Sequence, residues 1–409
     1  MPTPSRTAPR VAVTASLITV ALAAAACGGS SSGGSPAAKG STPASSSGQA
    51  QGACKLTTPP TSAAKAPAAT TAGKATGKVG VILPDTTSST RYTLYDAPLL
   101  KSSLSAAGIT PDVQNAGGST SRFEQIAQGM IGSGVKVLII DSIDATSGAA
   151  VEKEASQAGI KVIDYDRVNL GGTAQYYVSF DNEDVGKLQA QTLVDCLNAS
   201  GKTNPQIIEM AGGKDVDNNA VLFAKGANEV LQPLQSQGKL KILSESVVKG
   251  WLVANAAPTF TQALTAAGGK VDGVLVANDD IANAVIGVLK SNGLAGHVAI
   301  TGQDSGIEGL QNILNGQQSM TVFKNVKLEA AAAARLAIAL IAGKDAQSAG
   351  LTLTKFDDPK APSHNLQALL LPAQVITQAN VQDVINAGAL TAAEICKGIE
   401  SVCTAQGIK

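Results

Sequence analysis

The sequence contains few aromatic or histidine side chains, and its charges balance. Aromatic residues make up 3% of the 409 positions, with one Trp and two His. Lys plus Arg and Asp plus Glu each number 31, so neither a nucleic-acid partner nor an acidic disordered tail is indicated. The sequence has no CxxC motif or Cys/His cluster, and His297 and His364 are isolated. We therefore expect no metal site and no cofactor.

Nucleotide-binding motifs and long apolar runs are also missing. The segment VGVILPD (79–85) lacks a GxGxxG fingerprint, and no P-loop string is present. No Ser/His/Asp order stands out, so no catalytic residue is assigned. Outside the amino-terminal region, no window approaches about 18 consecutive apolar residues, so no transmembrane helix is predicted.

The first 27 residues have the features of an export signal. Arg6 and Arg10 precede the mostly apolar run 11–26, in which Ala24, Ala25 and Ala26 stand directly before Cys27. Small residues directly before a cysteine are typical of a bacterial lipobox, so Cys27 is the predicted lipidation site. Leu22 lies farther from the cysteine than such motifs usually place it. Secretion without lipid, after cleavage nearby, is the alternative.

Residues 28–77 are rich in Gly, Ser, Ala, Thr and Pro. Such a composition favours a flexible tether between membrane and globular body.

Export also permits disulfides. Cys396 and Cys403 are close in sequence and form the preferred pair, which leaves Cys54 with Cys196. Free buried thiols are the alternative.

From Lys78 onward, short β-branched runs alternate with amphipathic stretches. Continuous apolar runs suit strands buried on both faces of a parallel sheet. Strand and helix repetition predicts right-handed βαβ units in a doubly wound α/β fold. The predicted strands are 79–85, 135–141, 161–166, 206–213, 273–279 and 298–304, and the clearest helices are 147–157, 218–232 and 280–291.

Polar or charged residues follow many of these strands. In open α/β sheets, ligands bind beyond the carboxyl ends of the strands. Helix capping by Asp and Asn explains part of the pattern, but it explains neither Arg167 nor the Gln303-Asp304 pair. The number of strands favours two sheets in two lobes, with a ligand in the cleft between them.

Seven strings then become recognisable in order: YDRV (165–168), YYVSFDNEDVGKLQA (176–190), GGKDVDNNA (212–220), GWL (250–252), ANDD (277–280), TGQDSG (301–306) and MTVFK (320–324). On these strings, residues 78 to about 386 resemble the type I periplasmic sugar-binding proteins of ABC transporters, and within that family the members that bind D-xylose.

The resemblance implies two Rossmann-like lobes joined by three crossover strands. The crossings are expected near 180–182, near Phe323 and near 355–362. The first lobe would comprise 78–180 plus 324–355, and the second 183–322 plus 363–409.

The resemblance also implies a sugar site between the lobes. Carboxylates and amides would accept hydrogen bonds from hydroxyls, cationic groups would donate them, and aromatic faces would stack on the ring. The xylose-binding members usually carry Trp where this chain has Tyr92. The expected ligand-binding residues are Arg91, Tyr92, Asp166, Arg167, Asp217, Asn219, Trp251, Asn278, Asp304 and Lys324.

Several of these residues also have plainer interpretations. Asp166 and Arg167 could form a surface pair, Trp251 could be core, Asn219 could cap a helix, and Lys324 could be solvated. Asp181 and Asn182 are assigned to the first crossing and the next helix start. Asp141 and Asp144 are left open.

The implied function is that of a non-enzymatic, monomeric binding lipoprotein on the outer face of the cell membrane. It would capture a monosaccharide, D-xylose first, by hinge closure and deliver it to an ABC permease. Another sugar (arabinose, ribose or glucose) or a sensor role in chemotaxis or signalling is the alternative. Sugar-responsive transcription regulators share this fold, but their DNA-binding headpiece would stand where this chain has an export signal and a tether.

Overall fold

The computed structural model describes Cys54, Leu56 and residues 74–409. The predicted signal peptide, the lipidation site Cys27 and most of the tether lie outside these described residues. The strands are β1 (Gly77–Leu83), β2 (Ile109–Asn115), β3 (Val137–Ile140), β4 (Lys161–Tyr165), β5 (Tyr176–Phe180), β6 (Gln206–Ala211), β7 (Lys241–Val247), β8 (Gly273–Val276), β9 (Ala299–Ile300), β10 (Thr321–Phe323), β11 (Thr354–Phe356), β12 (Leu366–Leu371) and β13 (Gln374–Ile376).

Helices alternate with most of these strands, as the sequence pattern predicts. A short π-helix (Tyr92–Asp96) leads into the first α-helix, and 3₁₀ turns cover Lys249–Trp251, Val253–Asn255 and Gln347–Ala349. The α-helices are α1 (Ala97–Ala106), α2 (Thr120–Gly132), α3 (Ala145–Gln157), α4 (Asn182–Ala199), α5 (Asn218–Ser236), α6 (Ala256–Ala266), α7 (Asp279–Ser291), α8 (Ile307–Leu314), α9 (Val326–Ile341), α10 (Gln382–Asn386), α11 (Ala392–Cys396) and α12 (Glu400–Gln406).

The larger sheet has seven strands in the order β11-β12-β5-β4-β3-β1-β2. Its pairings are parallel except for β11 with β12. Successive residues of β1 alternate between two apolar clusters, since Val81 and Leu83 pack in one and Ile82 in the other. Both faces of this sheet are therefore buried, which explains why its strands read as unbroken apolar runs.

The second lobe contains a parallel sheet in the order β7-β6-β8-β9 and a separate antiparallel pair, β10 with β13. A single parallel bridge between Gln303 and Val322 links the two parts. The strand expected over 298–304 is shortened to Ala299–Ile300, and the backbone turns sharply beyond it at Asp304 and Ser305, where φ is 90° and 56°.

The chain passes between the two lobes three times. It leaves the seven-stranded sheet after Phe180, and it returns after Phe323. The third passage differs from the expected interval 355–362, because β12 pairs in parallel with β5 in the seven-stranded sheet. The chain therefore crosses after Leu371, and residues 366–371 belong with the first lobe.

Two disulfides are present, Cys54 with Cys196 and Cys396 with Cys403. The first joins the segment before β1 to α4 of the second lobe. Within the described residues, no helix combines the length and apolar character needed to cross a membrane.

Candidate functional site

The ends of strands from both lobes meet at a cavity, which is called the cavity below. Every one of the ten residues predicted from the sequence lines it. Four further lining residues were not predicted: Ser88, Ser89, Phe223 and Gln303. Gln303 had a sequence signal, since it is paired with Asp304 at a strand end. Ser88 and Ser89 stand close to Arg91 in one loop, and Phe223 lies one helical turn after Asn219.

Arg91 lines the cavity and is held by three carboxylates. Its guanidinium nitrogens lie 2.8 Å from Asp96 Oδ1, 3.1 Å from Asp166 Oδ1 and 2.6 Å from Glu329 Oε2. Burial opposes its charge, but the three carboxylates outweigh burial and raise the Arg91 pKa well above its ordinary value. Arg91 is therefore a fixed cation that positions Asp166.

Asp166 has a backbone φ of 59°, which turns its side chain into the cation cluster. Its carboxylate lies 3.1 Å from Arg91 Nη1 and 3.4 Å from Lys324 Nζ. Burial alone would raise the Asp166 pKa, but Arg91, Lys324 and Arg167 together hold it well below its usual range. The group is a permanent acceptor. It is also a buried one, since Asp166 is 3% exposed and Arg167 is 6% exposed. The interpretation as a surface pair is therefore wrong.

Tyr92 uses its hydroxyl within this cluster. The hydroxyl donates to Asp166 Oδ2 at 3.2 Å and accepts from Arg167 Nη2 at 3.1 Å. The guanidinium carbons of Arg91 and Arg167 each lie 5.7 Å from the ring centroid. The Tyr92 hydroxyl thus bridges two predicted ligand-binding groups, Asp166 and Arg167, which a tryptophan indole could not do because its N–H only donates.

The second lobe supplies Trp251, which is 4% exposed and has a φ of 59°. Its Nε1 donates to Asp217 Oδ2 at 3.0 Å, and its ring packs over Gly212 and Gly213, where any side chain would collide with it. Phe223 meets the indole edge to face, with centroids 6.4 Å apart. The indole is thus fixed beside the cavity.

Two predicted amides are already engaged by protein groups. Asn219 Nδ2 donates to the Asp166 carbonyl at 2.9 Å, and its Oδ1 accepts from Asn182 Nδ2 at 2.9 Å. Asn278 caps α7 by accepting from Ile281 N at 2.9 Å, and it donates to the Ser88 carbonyl at 3.1 Å. Asn219 does not cap α5, because Asp217 occupies the N-cap position.

Asp304 and Gln303 present oxygens that still have hydrogen-bonding capacity. Asp304 Oδ2 accepts from Ser89 Oγ at 3.1 Å, and Lys324 Nζ lies 3.7 Å from its Oδ1. Asp304 Oδ1 and Gln303 Oε1 are buried and find no hydrogen-bond partner among the described side chains and backbone. Lys324 is 3% exposed, so it is not solvated. Buried acceptors without donors are costly unless a ligand supplies the donors.

The residues left open or assigned to structure are now placed. Asp144 caps α3 by accepting from Thr146 N and Ser147 N, each at 2.9 Å. Asp181 caps α4 by accepting from Asp184 N at 3.0 Å. Asp141 is fully buried and lies 3.7 Å from Arg167 Nε, behind the cavity. Across residues 74–409, no group of three His, Cys, Asp or Glu side chains could hold a metal ion.

Comparisons with known proteins agree with this architecture. The sequence model of the periplasmic binding protein domain family matches residues 79–345. The chain is 41% identical over 233 residues to the D-xylose-binding periplasmic protein of Escherichia coli K12, covering 57% of this chain and 69% of that protein. It is 35% identical over 281 residues to the multiple sugar-binding periplasmic receptor ChvE of Rhizobium radiobacter, covering 66% and 79%.

Solved structures share the fold. A carbohydrate transporter solute-binding protein from Chloroflexus aurantiacus, in complex with D-glucose, superimposes with a TM-score of 0.70 at 28% identity, covering 78% of this chain and 98% of that one. A solute-binding protein from Clostridium phytofermentans with bound β-D-glucose gives 0.69 at 27% identity, covering 78% and 99%. The two-lobed α/β fold, the cleft at the strand ends and these matches together show that the chain belongs to the periplasmic binding protein family, type I fold.

Proposed function

We propose that this protein captures a monosaccharide, with D-xylose as the first candidate, and delivers it to an ABC permease without altering it chemically. The observation that carries the proposal is the cavity between the lobes. It combines buried oxygens of Asp304 and Gln303 that lack a hydrogen-bond donor, the cations Arg167 and Lys324, and the indole of Trp251. A small ring with many hydroxyl groups matches this set of partners.

Each part of a sugar finds a suitable partner in this cavity. Hydroxyl hydrogens would be donated to Asp304 Oδ1 and Gln303 Oε1, and hydroxyl oxygens would accept from Arg167 or Lys324. The apolar C–H face of the ring would lie on Trp251. A sugar that lacks one matching hydroxyl leaves a buried group unpaired, at a cost of roughly 1–3 kcal/mol.

Hinge closure would couple binding to recognition by the permease. First-lobe groups such as Arg167 and second-lobe groups such as Asp304 line the same cavity, so a bound sugar bridges the lobes. A ligand that contacts both lobes only when they are close favours the closed state by that difference in contacts. The three passages of the chain between the lobes are the proposed hinge.

The choice of sugar rests on the relatives of this chain. The D-xylose-binding relative supports xylose, whereas the multiple sugar-binding relative and the glucose-bound structures support a broader or different specificity. Arabinose, ribose and glucose are therefore the alternatives, as is a role as a sugar sensor.

Isothermal calorimetry with these four sugars tests the proposal. We expect saturable binding of xylose, and loss of most of the affinity in Asp304→Ala and in Arg167→Ala. The control Asp357→Ala, at an aspartate whose side chain is 93% exposed, should bind like the parent. Binding of another sugar alone would refute the choice of xylose. Near-parental affinity in both cavity variants would refute the site.

We also propose a lipid anchor at Cys27 on the outer face of the cell membrane. The proposal is supported by the apolar run and small residues that precede this cysteine. Metabolic labelling with a fatty acid should mark the parent but not Cys27→Ser. Equal labelling of both would refute the anchor.

A further inference from the structure

The loop after β1 forms a contact with the second lobe outside the cavity. The backbone N–H of Thr90 donates to Asp280 Oδ2 at 3.0 Å. Thr90 directly precedes Arg91 in the first lobe, and Asp280 lies in the first turn of α7 in the second. Neither Thr90 nor Asp280 lines the cavity, so this bond joins the lobes without touching the space for the ligand.

Neighbouring positions of the same loop also bond across the cleft. Asn278 Nδ2 donates to the Ser88 carbonyl at 3.1 Å, and Ser89 Oγ donates to Asp304 Oδ2 at 3.1 Å. Residues 88–90 therefore each hold one hydrogen bond to the second lobe. The bonds of Ser88 and Ser89 involve cavity-lining side chains, so only Asp280 can be changed without altering the site itself.

Building on the proposed function, we infer that Asp280 is a positioning residue that latches the closed form and slows release of the sugar. The Thr90–Asp280 bond requires the loop and α7 to be adjacent, so it stabilises the closed arrangement and is lost on opening. A bond from an N–H to a carboxylate is stronger than one between neutral groups. The latch therefore acts on the lifetime of the complex rather than on contacts with the sugar.

Closure also buries the Asp280 carboxylate, and burial opposes its ionisation. Burial, with the nearby charges of Asp304 and Glu308, raises the Asp280 pKa to about 6 although the Thr90 N–H lowers it. At pH 7.5 the group is mostly ionised and can act as a charged acceptor, so this is the pH for the test.

Stopped-flow fluorescence provides the measurement, because Trp251 is the single tryptophan and lines the cavity. With D-xylose as the probe, Asp280→Ala should release sugar roughly three- to tenfold faster, as expected for loss of one hydrogen bond. The association rate should change little, because association begins from the open form. Asp280→Asn keeps an acceptor oxygen and should recover most of the slow release.

Two controls separate the latch from general effects of charge and stability. Glu308→Ala removes an exposed carboxylate near Asp280 that forms no bond to Thr90, and its release rate should match the parent. The unliganded Ala and Asn variants at Asp280 should unfold at similar temperatures, because both lose the same charge at the start of α7.

The outcomes distinguish the two proposals. If the parent binds sugar but Asp280→Ala releases it at the parental rate, the latch is refuted and the proposed function stands. Equally fast release from the Ala and Asn variants would also refute the latch, because the bond to Thr90 would then be irrelevant. If the parent binds none of xylose, arabinose, ribose or glucose, the proposed function fails, and the latch fails with it.

Discussion

Removing Arg167 should destabilise the protein through Asp141, independently of any ligand. Asp141 is fully buried, and neither of its carboxylate oxygens has a hydrogen-bond partner within the described part of the chain. Arg167 Nε, 3.7 Å from Asp141 Oδ1, is the cation in contact with it. Burial raises the Asp141 pKa well above its ordinary value although the Arg167 charge opposes this rise, so removal of the arginine would raise the Asp141 pKa further.

The substitution Arg167→Met keeps much of the side-chain volume but leaves Asp141 without its cation. Breaking a fully ionised buried ion pair on one side costs about 3–5 kcal/mol, so this range is the largest loss of stability expected here. The orphaned carboxyl would take up a proton, which limits the loss in acid and lets it grow as the pH rises. Guanidinium unfolding of the ligand-free protein should therefore show a smaller loss of stability at pH 5 than at pH 8.

A second substitution separates this structural role from binding. Arg167 Nε also lies 3.4 Å from the buried Asp217 Oδ2. Adding Asp141→Asn to Arg167→Met therefore removes one of the two carboxyls that lose this cation and should restore part of the lost stability, although sugar binding stays weak. Arg122→Met, at an exposed arginine of α2, is the matched control and should change neither property. The reasoning is refuted if Arg167→Met is as stable as the control at pH 8, or if the double variant recovers no stability.

Two further predictions follow from the same cavity. Burial raises the Glu329 pKa to about 8, above its ordinary value of about 4.3, so its protonated form stabilises the fold at low pH and this contribution is lost as the pH rises through 8. The stability of the parent should therefore fall relative to Glu329→Gln between pH 5 and 8 in denaturant titrations, and a constant difference would contradict this. In Gly212→Ala, the added Cβ would lie 2.1 Å from the Trp251 ring, so the indole must move. We expect at least a tenfold loss of sugar affinity and a shifted tryptophan emission maximum, and an unchanged spectrum with parental affinity would refute the role of this contact.

Much of the site could be predicted because parallel strands bring their carboxyl ends to one edge of a sheet. Asp166 and Arg167 follow β4, Asn278 follows β8, and Asp304 lies beyond β9. Their convergence required only the strand pattern and the family strings. The strings also identified Trp251, which no periodicity would have singled out.

Other features depend on three-dimensional contacts that the sequence does not encode locally. The sequence did not indicate that the Asn219 amide forms hydrogen bonds with Asp166 and Asn182, because these partners lie far along the chain. The carboxylate of Glu329 on Arg91 was missed for the same reason. The third passage had a local signal, the apolar run of β12, but its pairing with β5 was needed to place it in the first lobe.

The disulfide between Cys54 and Cys196 attaches the amino-terminal segment to the second lobe. Although β1 belongs to the first lobe, the chain before Cys54 is fastened covalently to α4 of the second. Residues 55–76 are thus a fourth covalent connection between the lobes, and a chain of 22 residues could reach at most roughly 70 Å when fully extended. A connection of this length does not restrict opening of the cleft. With the lipid anchor that we propose, the covalent path from the membrane would reach the second lobe first, and the first lobe would move relative to the membrane when the cleft opens.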